Sequence, residues 1–281
     1  MKLATVFLHF ARRSWGAIVG WGVMLAVLGL YLMRFYDTLA EQRAMLEQLV
    51  AQYPPALMAF FGGTAEMFTA GGYLSLEFFS YMPIVIGVYA VLLGSGMLVS
   101  DEENGTLDLV LAHPISRTLL FAGRLLGAVA ILAAILLLTW AGFVIGAQGT
   151  TLGVTPLQML RPFVALFALL FLFAALSFFL SMMLPSRNMA ATVGALLLFV
   201  SYFVNSLAQI DEKLRPWGKY LPLHYYQSGH ALEGLKGEWL AILLGVGVAF
   251  ALLGWLLFLR RDIRLGGEGS WKLRKAKGGK P

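Results

Sequence analysis

Charge is what this chain has least of. Asp, Glu, Lys and Arg make up 13% of its 281 residues, against about 25% in an ordinary water-soluble domain. A sphere of this size cannot be clothed in so few polar groups. Cysteine is absent altogether, which excludes disulfide scaffolds, iron–sulfur clusters, cysteine-ligated zinc and thiol nucleophiles. The four histidines, His9, His113, His224 and His230, are scattered and fall outside the long apolar runs. Interfacial or solvated imidazole is a better reading of each than metal ligation. There is no HExxH for zinc, no GxSG for a rhomboid-like serine, and no GxxxxGK followed by Ser or Thr. The chain therefore has no nucleotide-binding P-loop and no catalytic constellation, so it is expected to be neither an enzyme nor a metal or cofactor protein.

What it has in abundance is apolar residues: 59% of the total, with a mean hydropathy of +0.77. At 1.5 Å per residue, a helix needs roughly 20 apolar residues to cross about 30 Å of hydrocarbon. Six charge-free stretches reach that length: Ser14–Met33, Phe78–Ser100, Leu125–Gly146, Phe163–Leu184, Met189–Ile210 and Trp239–Leu259. The alternation of a membrane β-barrel is missing. The expected fold is an all-α polytopic membrane protein with six transmembrane helices over residues 14–259. Residues 1–13, with Leu3, Val6, Phe7 and Phe10 on one side and Arg12-Arg13 at the end, read as an interfacial N-terminal helix. The first span is too long for the apolar region of a signal peptide.

The net charge of +6 is a matter of position. Eight of the 21 basic residues lie between Arg260 and Lys280, in a basic tail covering 260–281. That placement suits anionic lipid and topology better than nucleic acid. With six spans both termini share a side, which carries fourteen basic residues against seven on the other. The positive-inside rule puts that side in the cytoplasm, so a multi-pass protein of the cell membrane with both termini cytoplasmic is expected. On the outer side stand a 44-residue excursion, 34–77, and an aromatic, broken segment, 211–238. Arg34–Ala51 reads as an amphipathic helix stopped by Pro54-Pro55. The segment 211–238 reads as lying at, or dipping into, the interface.

The spans hold only mild polar groups: Ser95, Thr139, Ser177, Ser181, Thr192, Ser201, Tyr202 and Asn205. A coupled carrier usually keeps an ionisable residue at membrane depth, so a secondary transporter or channel is the second reading. A scaffold or immunity protein is the third. Tyr202 and Asn205 are the candidates for lining a path. Glycines at four-residue spacing, Gly16/Gly20, Gly123/Gly127 and Gly142/Gly146, permit close helix approach.

The informative stretch is the loop Asp101–Arg117, DEENGTLDLVLAHPISR. Its acids stand where basic residues usually gather, and its leucines surround most of a two-turn helix bounded by Asn104 or Thr106 and by Pro114. Surplus apolar surface beside acids suits a protein partner with an apolar groove and a basic rim. Glu102, Gly105-Thr106-Leu107, Leu111, Pro114 and Ser116-Arg117, placed between the second and third of six spans, resemble ABC-2-type ABC transporter permeases. The stretch Leu221-Pro222-Leu223-His224-Tyr225-Tyr226 resembles that family's re-entrant hairpin before the last span. The resemblance implies the permease subunit of a dimeric, ATP-driven exporter, paired with itself or a sister permease. ATP and Mg would sit on separate ATPase subunits, which would push on Asn104–Ala112. Glu102, Glu103, Gly105, Thr106, Leu107, Asp108, Leu111, Pro114 and Arg117 would then form the coupling surface.

Overall fold

The computed structural model describes residues 3–42, 69–105, 115–208 and 211–260. Among the described residues there is no strand. α1 (Leu3–Arg13) and α2 (Trp15–Glu41) are divided only by Ser14. Both run beside α6 (Arg117–Ala147): Val6 packs at Gly123, Phe10 at Gly127, Ala26 at Gly142 and Leu30 at Gly146. The separation in sequence between partners hardly changes from the first pair to the last, so the two chains climb in parallel without slipping. Two of the three glycine pairs thus form contact stripes, and a Cβ at Gly142 would collide with the Ala26 backbone. The third pair, Gly16/Gly20, meets open space instead.

α2 continues through Glu41 with no break at Arg34. The stretch expected to begin a separate amphipathic helix there instead prolongs the first span, because nothing between Met33 and Glu41 interrupts helical hydrogen bonding. The rest of that expected helix and Pro54-Pro55 lie outside the described residues.

The second span departs further from expectation. It is broken into α3 (Ala70–Leu74), a π-helical turn (Ser75–Phe79) and α4 (Met82–Gly96), with a 45° bend between the two halves. After a second break at Met97-Leu98, α5 (Val99–Glu103) follows. Pro83 explains the first break. Its ring nitrogen has no hydrogen to donate to the carbonyl four residues back, that of Phe79. Glu77, assigned from sequence to the outer loop, falls inside this bent pair, where it is exposed. Five helices are individually long and apolar enough to cross a bilayer, and the bent pair makes a sixth when taken as one span.

At the centre stands α7 (Pro156–Met183), the most buried of these helices. Thr155 and Gln158 close a reciprocal capping box at its start. α4, α6, α8 (Arg187–Leu207) and α10 (Gly237–Arg260) pack around it. Gly247 and Gly254 of α10 let it settle onto Phe171 and Phe178. Ser186 caps α8 by accepting from the Met189 N–H, so α7 and α8 form the tight hairpin expected at Pro185–Asn188. Around the bend of the second span, Phe78 meets Phe143 at 4.7 Å and Phe79 meets Phe163 at 5.0 Å, both edge to face. Ser95, Thr139 and Ser181 hydroxyls donate to carbonyls of their own helices, the unexceptional use expected of them.

Candidate functional site

The two ends of the stretch read as a coupling loop are anchored to four different elements. At the first end, Asp101 on α5 is buried and accepts from two arginines. Arg13 Nη1 of α1 donates to Oδ1 at 2.9 Å, and Arg124 Nη2 of α6 donates to Oδ2. Arg124 Nη1 also donates to the Met97 carbonyl at 2.6 Å, one of the groups freed by the break before α5. Its guanidinium lies 5.7 Å from the Phe10 ring centroid. Burial pushes the Asp101 carboxyl up. The charges and hydrogen bonds of Arg124, and then of Arg13, more than reverse this, so it sits below the ordinary aspartate value.

Glu103, two residues on, is exposed and accepts the α8 N-terminal amide of Arg187 at 2.9 Å. This is the favoured position for a carboxylate against a helix dipole. Glu102 is buried at 8% exposure. Gly105 then turns the chain with φ +67°, a conformation other residues avoid, and nothing lies within 4 Å of where its Cβ would be. Thr106, Leu107, Asp108, Leu111 and Pro114 lie outside the described residues. At the far end, Ser116 caps α6 by accepting from Leu119 N–H. Arg117 Nη1 reaches the carbonyls of Phe258 and Leu259 at 3.1 and 3.3 Å, beside the Phe258 ring, at the end of α10. Of the residues singled out from sequence, Glu103 and Arg117 thus serve as anchors. From sequence, Asp101 reads only as one of the loop's acids, and Arg13 and Arg124 only as topology charges. Their mutual pairing links positions 88 and 23 residues apart, and no local pattern reports that.

The other end of the bent span, at α3 and the π-helical turn, is held differently. Tyr226 Oη donates to the Phe79 carbonyl at 3.0 Å, the acceptor that Pro83 leaves unserved. Tyr73 Oη donates to Leu32 O at 2.7 Å. Tyr226 belongs to the segment 211–238, which folds as 3₁₀ turns Glu212–Leu214, Pro222–Tyr225 and Ser228–Leu232 with the short α9 (Arg215–Gly218). Leu223 N–H donates to Ser201 Oγ on α8, and Arg161 of α7 donates to the Leu232 carbonyl at 2.9 Å. Gly229 lies so close to α3 and the π-helical turn that a β-carbon on it would collide with the backbone of Gly71 and Ser75.

The family model described as ABC-2 family transporter protein matches residues 11–263. The chain belongs to the ABC-2 transporter family. No curated protein matches it. In this ABC-2 protein the matched region begins inside α1 and runs past α10, so both anchored ends and the outer segment lie within it. The two residues proposed to line a path are neighbours on α8. Tyr202 is half-buried against the cluster containing Leu198 and Leu223, with its ring edge to face with Phe203 at 5.9 Å. Asn205 is half-buried one turn nearer the helix end.

Proposed function

We propose that this ABC-2 transporter protein is the permease subunit of an ATP-driven exporter. It would work as a dimer with itself or a sister permease in the cell membrane, with both termini cytoplasmic. ATP and Mg would be held by partner ATPase subunits, and the loop around Leu107 would be their contact. Family membership supports the permease reading. The observation that carries the coupling role is mechanical: the loop's two ends grip α1, α6, α8 and α10 through Asp101, Glu103 and Arg117. A push on 106–114 would be delivered to four helices together. A loop that only joined two spans would need no such cross-bracing.

The test is a variant series assayed for assembly with the ATPase and for transport. Leu107→Ala with Leu111→Ala removes two apolar contacts, each worth about 1–2 kcal/mol or more at an interface hot spot. Glu103→Lys reverses one charge. Both should insert normally, since neither alters a span, and both should lose assembly or transport. Wild-type behaviour in both would return the loop to a mere connector and favour a secondary transporter.

A further inference from the structure

α2 lies along α6, whereas α4 lies on α7 and α8. A fissure is left between α2 and α4, and the Trp21 and Tyr89 rings, 6.2 Å apart, stand across it. Below that pair the fissure widens into a cavity of about 430 Å³. Its walls differ sharply from end to end. Ala17, Tyr89 and Leu92 form an apolar side, with bare backbone at Gly16. Arg13, Arg124 and Arg187 converge at the other end, against the single carboxylate of Asp101.

Asp101 is shared by Arg13 and Arg124, so one negative charge faces three positive ones. Arg187 is the surplus. Its guanidinium lies flat against Gly96, with Nε 3.0 Å from where a Cβ would be. That Nε is buried without a hydrogen-bond partner, and Glu103 engages only the backbone amide of the residue. A guanidinium on the wall of a cavity of net positive charge, with its own side chain engaged by no carboxylate, suits an anion that accepts two hydrogen bonds, and phosphate fits best.

We propose that this cavity binds the phosphate of an acidic phospholipid of the cytoplasmic leaflet, with Arg187 as its principal donor. The sidedness rests on the orientation proposed above. A lipid fits better than a soluble phosphate because the arginines continue directly into an apolar wall. Leu92, at 44% exposure, extends that wall onto the outer surface of the bundle, where an acyl chain would follow it. Basic pockets between helices at the cytoplasmic boundary are where anionic headgroups are recognised.

The experiment uses the full chain purified in detergent, without any ATPase. Native mass spectrometry would follow titration with phosphatidylglycerol and with phosphatidylcholine, and melting shifts would follow inorganic phosphate. Phosphatidylglycerol should bind the wild type, and Arg187→Gln should weaken it about tenfold, the value of a lost charge-assisted bidentate contact. Gly16→Leu fills the apolar side where space is open and should weaken it too, with an unchanged melting temperature as proof of folding. Arg260→Gln, at the end of α10, should bind as wild type. Equal binding of phosphatidylglycerol by the Arg187 and Gly16 variants would overturn the site. Equal affinity for phosphatidylcholine would overturn the charge argument, and binding of inorganic phosphate with the same Arg187 dependence would overturn the lipid assignment. None of these results depends on transport, so the permease reading stands or falls separately.

Discussion

The bent second span is tied at both ends, by opposite kinds of chemistry. Its first half is held by neutral phenols donating to carbonyls, Tyr226 to Phe79 and Tyr73 to Leu32. Its far end is held by ionised groups, Asp101 between Arg13 and Arg124. A neutral hydrogen bond contributes little net energy but costs little to bury, so it suits a tie enclosed among Phe78, Phe79 and Phe143. An ion pair is strong only where desolvation is incomplete or each charge is fully satisfied. The Asp101 cluster meets this condition by using both terminal nitrogens of Arg124, one on Asp101 and one on the Met97 carbonyl. One end is therefore a fixed joint. The other is an electrostatic latch, next to the loop through which force would arrive.

The largest effect should come from opening that latch. Asp101→Ala leaves Arg124 buried without its carboxylate and should cost about 3–5 kcal/mol, measured by unfolding in detergent. Asp101→Leu combined with Arg124→Met should recover much of that loss. Arg13→Ala, whose side chain is 56% exposed, should cost under about 1 kcal/mol and lose even this at high salt. Equal costs for Arg13 and Arg124 would erase the distinction between a buried latch and a surface pair.

A smaller effect belongs to the fixed joint. Tyr226→Phe removes the hydroxyl that serves the Phe79 carbonyl and should cost about 1–3 kcal/mol. If that bond exists because Pro83 cannot supply it, the two positions are coupled. Pro83→Ala should then reduce the penalty of Tyr226→Phe in a double-mutant cycle. Strict additivity would show that the proline and the phenol act independently.

The smallest effect is a pH dependence confined to the segment 211–238. Burial lowers the His224 pKa, and Lys219 and Lys236 lower it further. The folded form thus holds this imidazole neutral to lower pH than the unfolded chain, which protonates it at about pH 6.5. The unfolded state binds more protons, so stability is complete above that value and declines as pH falls through it. The melting temperature should drop slightly between about pH 7.5 and about pH 5.5. His224→Gln should flatten that part of the profile, and an unchanged slope would assign the dependence to other groups.

The class of this protein was legible early because hydrophobic run length is a local property. Six apolar stretches of sufficient length, lacking the alternation of a barrel, admit only helices in a bilayer. The loop motif and the outer Pro-Leu-His-Tyr-Tyr stretch were legible for the same reason, and the match over residues 11–263 agrees with the resemblance they carry. The bend was half legible. Pro83 is plain in the sequence, yet a proline near a helix start is usually harmless, and only the placement of Tyr226 beside Phe79 shows a break being stabilised. The glycine pairs show the limit of spacing as a signal. Gly142/Gly146 and Gly16/Gly20 look alike in sequence, but the first meets a helix backbone and the second meets empty space.

By itself the sequence determined that the chain is helical and membrane-embedded. These follow from transfer free energy and backbone hydrogen bonding, which act within a single segment. Tertiary structure alone decided which charges cancel. Asp101 lies 88 residues from Arg13 and 23 from Arg124, and electrostatic energy depends on distance in space and on burial, neither of which is written in chain order. That is why Asp101 becomes a buried latch, Glu103 a helix cap and Arg187 a guanidinium with donors to spare.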